Sequence, residues 1–311
     1  METRNTNLIG ITSAITASML FSINDTTIKF LSGDYALHQV VLIRSALALC
    51  LTCLVLIPLS GGFGQLRTRR LGVHALRGFL VVMANMLFFM GLAALPIAET
   101  TAIFFIAPLL ITGFSVIFLG EHVGPRRWAA VLMGLVGVLV IIRPGAASFQ
   151  PAALLPLASA VGYAGLHILT RKLGSTDSPV SMAFYIQVIF ILVSGAFGLA
   201  LGSGGFANGS SPSIEFLTRA WGSLNPGDAV YFVILGLASG LGGWMISRAY
   251  TLCEAGLAAP FEYSAMVLAV GFGWFVFGEW PDSWTWVGIG LILGSGLFVA
   301  LRETRTRPTR R

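Results

Sequence analysis

Eight ionisable residues fall inside long apolar stretches or at their ends: Asp25, Lys29, Arg44, Arg77, Glu99, His167, Arg248 and Glu262. An Arg, Lys or Asp at the middle of a membrane helix costs roughly 2.5 to 3.5 kcal/mol to insert, so each needs a reason to be there. Opposite charges at one depth can hold a charged solute, or pair, part and pair again as a gate. Asp25 stands six residues from the outer end of its stretch, about 9 Å down at the helical rise, and Arg44 seven residues from the next, about 10 Å down. Consecutive antiparallel helices bring these two to one level, which predicts an Asp25–Arg44 pair. Lys29, one turn above Asp25, could share that carboxylate or snorkel outward. A second layer collects toward the opposite ends: Arg77, His167, Arg248 and Glu262, with Arg77 or Arg248 as counter-ion to Glu262.

Two layers on either side of an apolar middle suggest two gates, an outer one of Asp25 and Arg44 with Glu99 nearby, and an inner one of Arg77, Arg248 and Glu262. The plainer readings are snorkelling for Lys29, Arg77 and Arg248, fixed ion pairs for Asp25, Arg44 and Glu262, and an interfacial place for Glu99. His38 and His74 read as surface residues at helix ends. Glu121 and Glu279 open turns, where capping is the simplest role. Phe104, Tyr163, Tyr185, Trp244 and Tyr263, among other aromatic residues such as Phe105 and Trp274, could stack on a planar solute inside a cavity.

The chemistry that these residue types exclude is as informative. No Asp/His cluster offers a catalytic or structural metal site, and no glycine loop follows a strand as nucleotide binding would require, so neither cofactor nor metal is expected and an enzyme is not. A lipid-modifying transferase is the alternative from another class, and a passive channel would need polar residues along a whole pore. The net charge of +6 is split among short loops and the tail 302–311, which argues against a nucleic-acid partner. Cys50, Cys53 and Cys253 lie in or beside apolar stretches and read as small buried hydrophobes.

The elements that must position these residues follow from composition: 56% of the 311 residues are hydrophobic and 10% charged, too few charges for a soluble surface. Apolar stretches long enough to cross a hydrocarbon core recur at about 8–31, 37–58, 72–94, 97–119, 126–142, 150–171, 179–201, 229–250, 255–277 and 283–301. Without water each must satisfy its own backbone, so each is a helix. The split of 72–119 rests on Pro96, and Pro108 and Pro260 are candidate bending points within the fourth and ninth spans. Thirteen Lys and Arg residues fall on the side of the two termini, against Arg143 and Arg219 opposite, which places both ends in the cytoplasm. The Gly/Ser/Asn/Pro-rich segment 202–228 faces outward and reads as a flexible connector between halves. Gly134 with Gly137, and Gly290 with Gly294, would let helices 5 and 10 approach closely.

Gly120-Glu121 with Trp128 recurs as Gly278-Glu279 with Trp286, a shift of 158 residues. Each half then holds five crossings, an odd number, so the copies face opposite ways. The expected fold is an all-α membrane protein of ten transmembrane helices, an inverted repeat of 1–145 and 146–311.

With its paired motifs Phe118-Leu-Gly-Glu-His122 and Phe275-Val-Phe-Gly-Glu-Trp280, the chain resembles the drug/metabolite transporter superfamily in its EamA-type branch. That resemblance implies a carrier in a bacterial inner membrane, working by alternating access on a small organic metabolite through a cavity lined by both halves, as a monomer or homodimer. Asn24-Asp25-xxx-Lys29, Leu31-Ser-Gly-Asp-Tyr35, His38-Gln39 and Arg44-Ser45 are similar to members described as riboflavin or S-adenosylmethionine uptake carriers. Exporters of amino acids or drugs within the same family are the nearest alternative.

Overall fold

The computed structural model describes residues 2–68, 71–120, 124–173, 178–207, 209, 211–252 and 261–306. Helix dominates, and no strand occurs among the described residues. The elements are α1 (Glu2–Leu31), α2 (Leu37–Leu51), α3 (Leu71–Ala94), α4 (Ile97–Phe104), α5 (Ala107–Leu119), α6 (Pro125–Ile142), α7 (Leu154–Leu173), α8 (Pro179–Leu201), α9 (Pro212–Thr218), α10 (Ala229–Leu252), α11 (Ser264–Phe277) and α12 (Ser283–Thr306). A π-helical turn at Thr52–Leu56 carries α2 on to Leu59, so the second crossing is longer than α2 alone. Among the described residues, six helical segments are long and apolar enough to cross a membrane: Leu8–Leu31, Leu37–Leu59, Leu71–Ala94, Ile97–Phe118, Val180–Leu201 and Pro226–Ile246. Four shorter apolar helices accompany them, at Trp128–Ile142, Pro151–Leu166, Ser264–Phe277 and Ser283–Phe298.

Pro96 separates α3 from α4, as its lack of an amide proton requires. The fourth stretch is broken a second time: Phe105 and Ile106 leave the α-helix just ahead of Pro108, and Ile106 N–H closes a tighter bond to Ile103 O at 3.3 Å. Tyr263 makes a comparable break before α11. Pro260 lies outside the described residues. Gly120 and Gly278 end α5 and α11 in matching left-handed conformations, φ 68° in both, where a Cβ would be strained.

Two apolar clusters form the interior. One joins α1, α2, α3, α8 and α10 around Phe89, Phe190 and Phe232; the other joins α4, α5, α6, α11 and α12 around Ile103, Leu109, Ile141 and Ile292. Phe104 packs against both. Helix α1 runs against α10, α3 against α7, α2 against α8 and α10, and α6 against α12. The outward faces carry exposed Leu54, Leu199, Val267 and Phe275, the surface a lipid environment favours. Cys50 is also exposed there and Cys53 partly so, both as free thiols, which corrects the expectation that they are buried; Cys253 lies outside the described residues.

Close approach of α6 and α12 uses the glycines that the spacing suggested on α6 but not those on α12. A Cβ on Gly137 would lie 2.9 Å from Ile292 Cγ1 and 3.0 Å from Gly288 O, and one on Gly134 would collide with Leu109. Gly290 and Gly294 meet nothing within 4 Å, so Gly288 takes the part expected of them.

Segment 202–228 is also not a free connector. It lies between α8 and α10, within the second of the expected halves, and its α9 buries Phe216 while Ser213 Oγ donates to Met90 O at 2.7 Å. Its capping is local: Ser211 accepts from Ile214 N at 3.3 Å with Pro212 at the first helical position.

Candidate functional site

The aromatic residues expected in a cavity divide into two groups. Phe104 lies 5.4 Å from Tyr163, and Phe105 lies 5.3 Å from Tyr263, ring centroid to centroid. Phe88 extends the row at 5.2 Å from Phe104. This seam runs where α3, α4, α7 and α11 converge on the two helix breaks. Tyr185 belongs elsewhere: it stacks on His74 at 4.6 Å and donates to Leu66 O at 2.7 Å. Trp244 sits under Arg248, one turn along α10, at 5.5 Å. Trp274 stands on the outward face against Phe275 and Trp280.

The predicted Asp25–Arg44 ion pair does not form directly. Asn24 stands between the two, its side-chain N–H donating to Asp25 Oδ1 at 3.0 Å and its oxygen accepting from Arg44 Nη1 at 3.4 Å. Helix geometry explains this, since Asn24 and Asp25 are adjacent and point about 100° apart around α1, so only one can face Arg44 squarely. Arg44 is 3% exposed, and its guanidinium lies over the rings of Phe89 (5.3 Å) and Phe190 (4.8 Å). Its Nε has no hydrogen-bond partner among the described residues.

Lys29 neither snorkels nor shares Asp25. Its ammonium donates to Glu279 Oε1 at 2.6 Å and to Leu95 O at 2.6 Å, while Glu279 Oε2 accepts from Ile97 N at 3.1 Å. One carboxylate therefore ties α1, the α3–α4 corner and the α11–α12 corner together. Glu279 is thus more than the cap suggested by its sequence position, and the signal for it was the repeated Gly-Glu pair. Glu121, its counterpart, lies outside the described residues.

Next to this tie, Arg143 and Asp282 pair at 2.8 Å, and Asp282 also accepts from Thr285 N at 2.7 Å. Partial burial pushes the Asp282 carboxyl upward, but the Thr285 bonds and the Arg143 charge outweigh it and hold the group below its ordinary value. Glu99 lines a small cavity of about 180 Å³ with Arg143, Trp280, Asp282 and Thr285. Segment 202–228 closes the same face: Trp221 Nε1 donates to His38 Nδ1 at 2.5 Å, and Arg219 donates to Ser32 O at 2.9 Å and to Glu215 at 3.0 Å. Tyr35 donates to Asp228 at 2.6 Å, and that bond is the main cause of its raised pKa. His38 is fully buried here and His74 nearly so under Tyr185, which corrects their expected place on the surface.

At the other end, Arg77 Nη1 approaches Met182 Sδ at 3.2 Å and Glu262 accepts from Ser18 through its backbone carbonyl at 3.5 Å. The side chain of His167 lies outside the described residues. No group of three or more metal-ligating side chains occurs among the described residues.

Comparison with known proteins places this arrangement. The EamA-like transporter family model matches twice, over residues 8–143 and 150–301. The chain is 31% identical to the riboflavin transporter of Vibrio cholerae, covering 98% of this chain and 97% of that protein. It is 26% identical to the S-adenosylmethionine uptake transporter of Rickettsia conorii (96% and 95% covered) and 26% identical to a pseudopaline exporter of Pseudomonas aeruginosa (95% and 96% covered). A crystal structure 19% identical in sequence shares the fold, with a TM-score of 0.63 over 98% of this chain and 99% of that one. Family and relatives alike point to a transporter in place of an enzyme, and the apolar helices to several membrane crossings. The chain belongs to the EamA-like transporter family and is a multi-pass membrane transporter of a small molecule.

Proposed function

We propose that the chain is a secondary carrier of ten transmembrane helices, an inverted repeat of 1–145 and 146–311 that exposes a central solute site to one side of a bacterial inner membrane at a time, with both termini cytoplasmic. The observation that carries this reading is the meeting of Phe105 and Tyr263, 5.3 Å apart. They are separated by the same 158 residues that relate Gly120 to Gly278, and each marks the break in its own helix. A duplicated, broken helix crossing its twin is the arrangement in which two halves can rock about a fixed centre. The packing is consistent with it: α1 against α10 and α3 against α7 become the same contact when the halves are exchanged.

The solute would lie along the Phe104–Tyr163 and Phe105–Tyr263 seam, and a riboflavin-like or S-adenosylmethionine-like molecule suits flat aromatic walls. Closure on the outer side would come from Lys29 and Glu279, supported by Arg143–Asp282 and with Glu99 alongside. Arg77, Arg248, Glu262 and His167 are the groups for the inner side. Nothing in the sequence resembles a nucleotide-binding loop, so the driving force would be an ion gradient or the solute's own.

Uptake of labelled riboflavin and S-adenosylmethionine into proteoliposomes, with and without a proton gradient, tests the assignment. Saturable accumulation of one of them supports it; leakage linear in concentration for both would point to a pore or to a different solute.

A further inference from the structure

A buried guanidinium carries five donor hydrogens and pays a desolvation cost that only acceptors can offset. Among the described residues Arg44 has one hydrogen bond, a long one of 3.4 Å to Asn24, although it is 3% exposed. The rings of Phe89 and Phe190 favour the charge but offer its N–H groups no lone pair. The nearest anion, Asp25, is turned into a bond with Asn24 and uses one oxygen. Asn24 therefore keeps an acid and a base side by side and apart, each short of partners. Further polar atoms without a hydrogen bond lie on the neighbouring faces: Ser45 Oγ beside Arg44, and Gln187 Oε1 and Ser194 Oγ on the face of α8 that carries Phe190.

The position suits a ligand better than a gate. Lys29 and its tie to Glu279 lie one helical turn outward of Asp25, about 6 Å along α1, so the layer sits directly beneath the outer closure. A gate residue should be satisfied when its side is shut, as Lys29 is; Arg44 is not.

We infer that Asp25, Asn24 and Arg44 are the polar anchor of the transported solute, binding an edge in which an acceptor or anion stands beside a donor or cation. Arg44 takes the acceptor through its unused N–H groups and Asp25 takes the donor through its free oxygen. Two solute chemistries present such an edge: the ammonium and carboxylate of an α-amino-acid head, and the N–H flanked by carbonyls of a flavin's pyrimidinedione ring. The inference rests on the carrier reading above and names the part of the solute that is recognised.

Equilibrium binding to the purified full-length carrier in detergent separates the two. The probes are S-adenosylmethionine against its decarboxylated form, and riboflavin against 3-methylriboflavin, in which the donor hydrogen is replaced. One parent compound is expected to bind, with its blocked partner at least about tenfold weaker, as loss of one charge-assisted bond implies. Arg44→Gln is expected to erase the preference within the S-adenosylmethionine pair, where the acceptor is lost, and Asp25→Asn that within the riboflavin pair, where the donor is lost, both while melting near the wild-type temperature; Arg44→Lys, which keeps the charge but not the fork, should fall between on the first pair. If a parent binds and its matching variant, Arg44→Gln for S-adenosylmethionine or Asp25→Asn for riboflavin, keeps the full preference, the anchor is wrong and the carrier reading stands. If blocked and parent compounds bind equally to the wild type, the anchor is likewise wrong and the three residues are a structural bridge only. Binding of neither parent would overturn the solute assignment and this inference with it.

Discussion

The Lys29–Glu279 tie and the Asn24, Asp25 and Arg44 layer one helical turn away along α1 use the same residue types to opposite effect. Around Lys29, both oxygens of Glu279 and two donor positions of the ammonium are occupied within 3.1 Å, and the contacts join parts of the chain up to 250 residues apart. Around Arg44, one long bond serves a whole guanidinium. A satisfied network rigidifies what it joins and specifies one arrangement, whereas an unsatisfied buried charge stores a cost that an incoming partner can relieve. Burial alone does not separate the two regions, because Lys29 and Arg44 are both largely covered; the difference lies in how many partners each has found.

That contrast breaks most readily at Arg44. Arg44→Ala should lower uptake on the order of a hundredfold, the equivalent of roughly 3 kcal/mol for a charge-assisted contact, while the protein still inserts and packs. Initial rates in proteoliposomes, with insertion checked by chromatography of the solubilised protein, measure it; near-normal uptake would move Arg44 to the structural side. Glu279→Gln should act through access instead of affinity. It leaves Lys29 with the Leu95 carbonyl and a neutral amide, so a thiol reagent applied outside should reach a cysteine at Asp25 faster, and uptake should fall about tenfold. The exchanged pair, Lys29→Glu with Glu279→Lys, should recover part of that loss.

Smaller effects are expected at the rim. Trp221→Phe removes the indole donor from buried His38 and should cost about 1 to 2 kcal/mol of stability, read as a lower melting temperature with KM unchanged. The Arg143–Asp282 pair gives the slightest signal. The folded-state pKa of Asp282 is depressed, so its contribution is fully present above the ordinary carboxylate value of about 3.9 and fades as pH falls through the lowered one. Outer access should therefore be flat from neutral pH to about 5 and rise only in stronger acid, and Asp282→Asn should remove that rise. A change centred near pH 6 would point to another group.

Much of the frame was legible in the amino-acid order. Runs of about twenty apolar residues give the helices, Pro96 gives the α3–α4 corner, and the repeated Gly-Glu pair gives the matched left-handed ends at Gly120 and Gly278. The site was read in part. Depth counting brought Asp25 and Arg44 to one level, correctly enough for Asn24 to bridge them, but rise per residue says nothing of which neighbour faces inward. The Lys29–Glu279 tie joins α1 to the α11–α12 corner, a relation no local spacing encodes. Segment 202–228 looked flexible because glycine and serine dominate it; Phe216 and Trp221, too apolar for a free linker, were the signal that it docks. The glycine pair at 290 and 294 has helical spacing but points away from α6, and periodicity cannot tell which face meets a neighbour.

Cross-linking across the outer closure tests the alternating-access claim most directly. Cysteines replacing Lys29 and Glu279, in a background where Cys50, Cys53 and Cys253 are serine, would be joined by a reducible bis-methanethiosulfonate, since two side chains this long leave a gap that a disulfide cannot span. Uptake should stop on cross-linking and return on reduction, with the unlinked double variant as reference. Undiminished uptake by the fully cross-linked carrier would show that solute passes without the outer side opening, and the two-sided mechanism would be wrong.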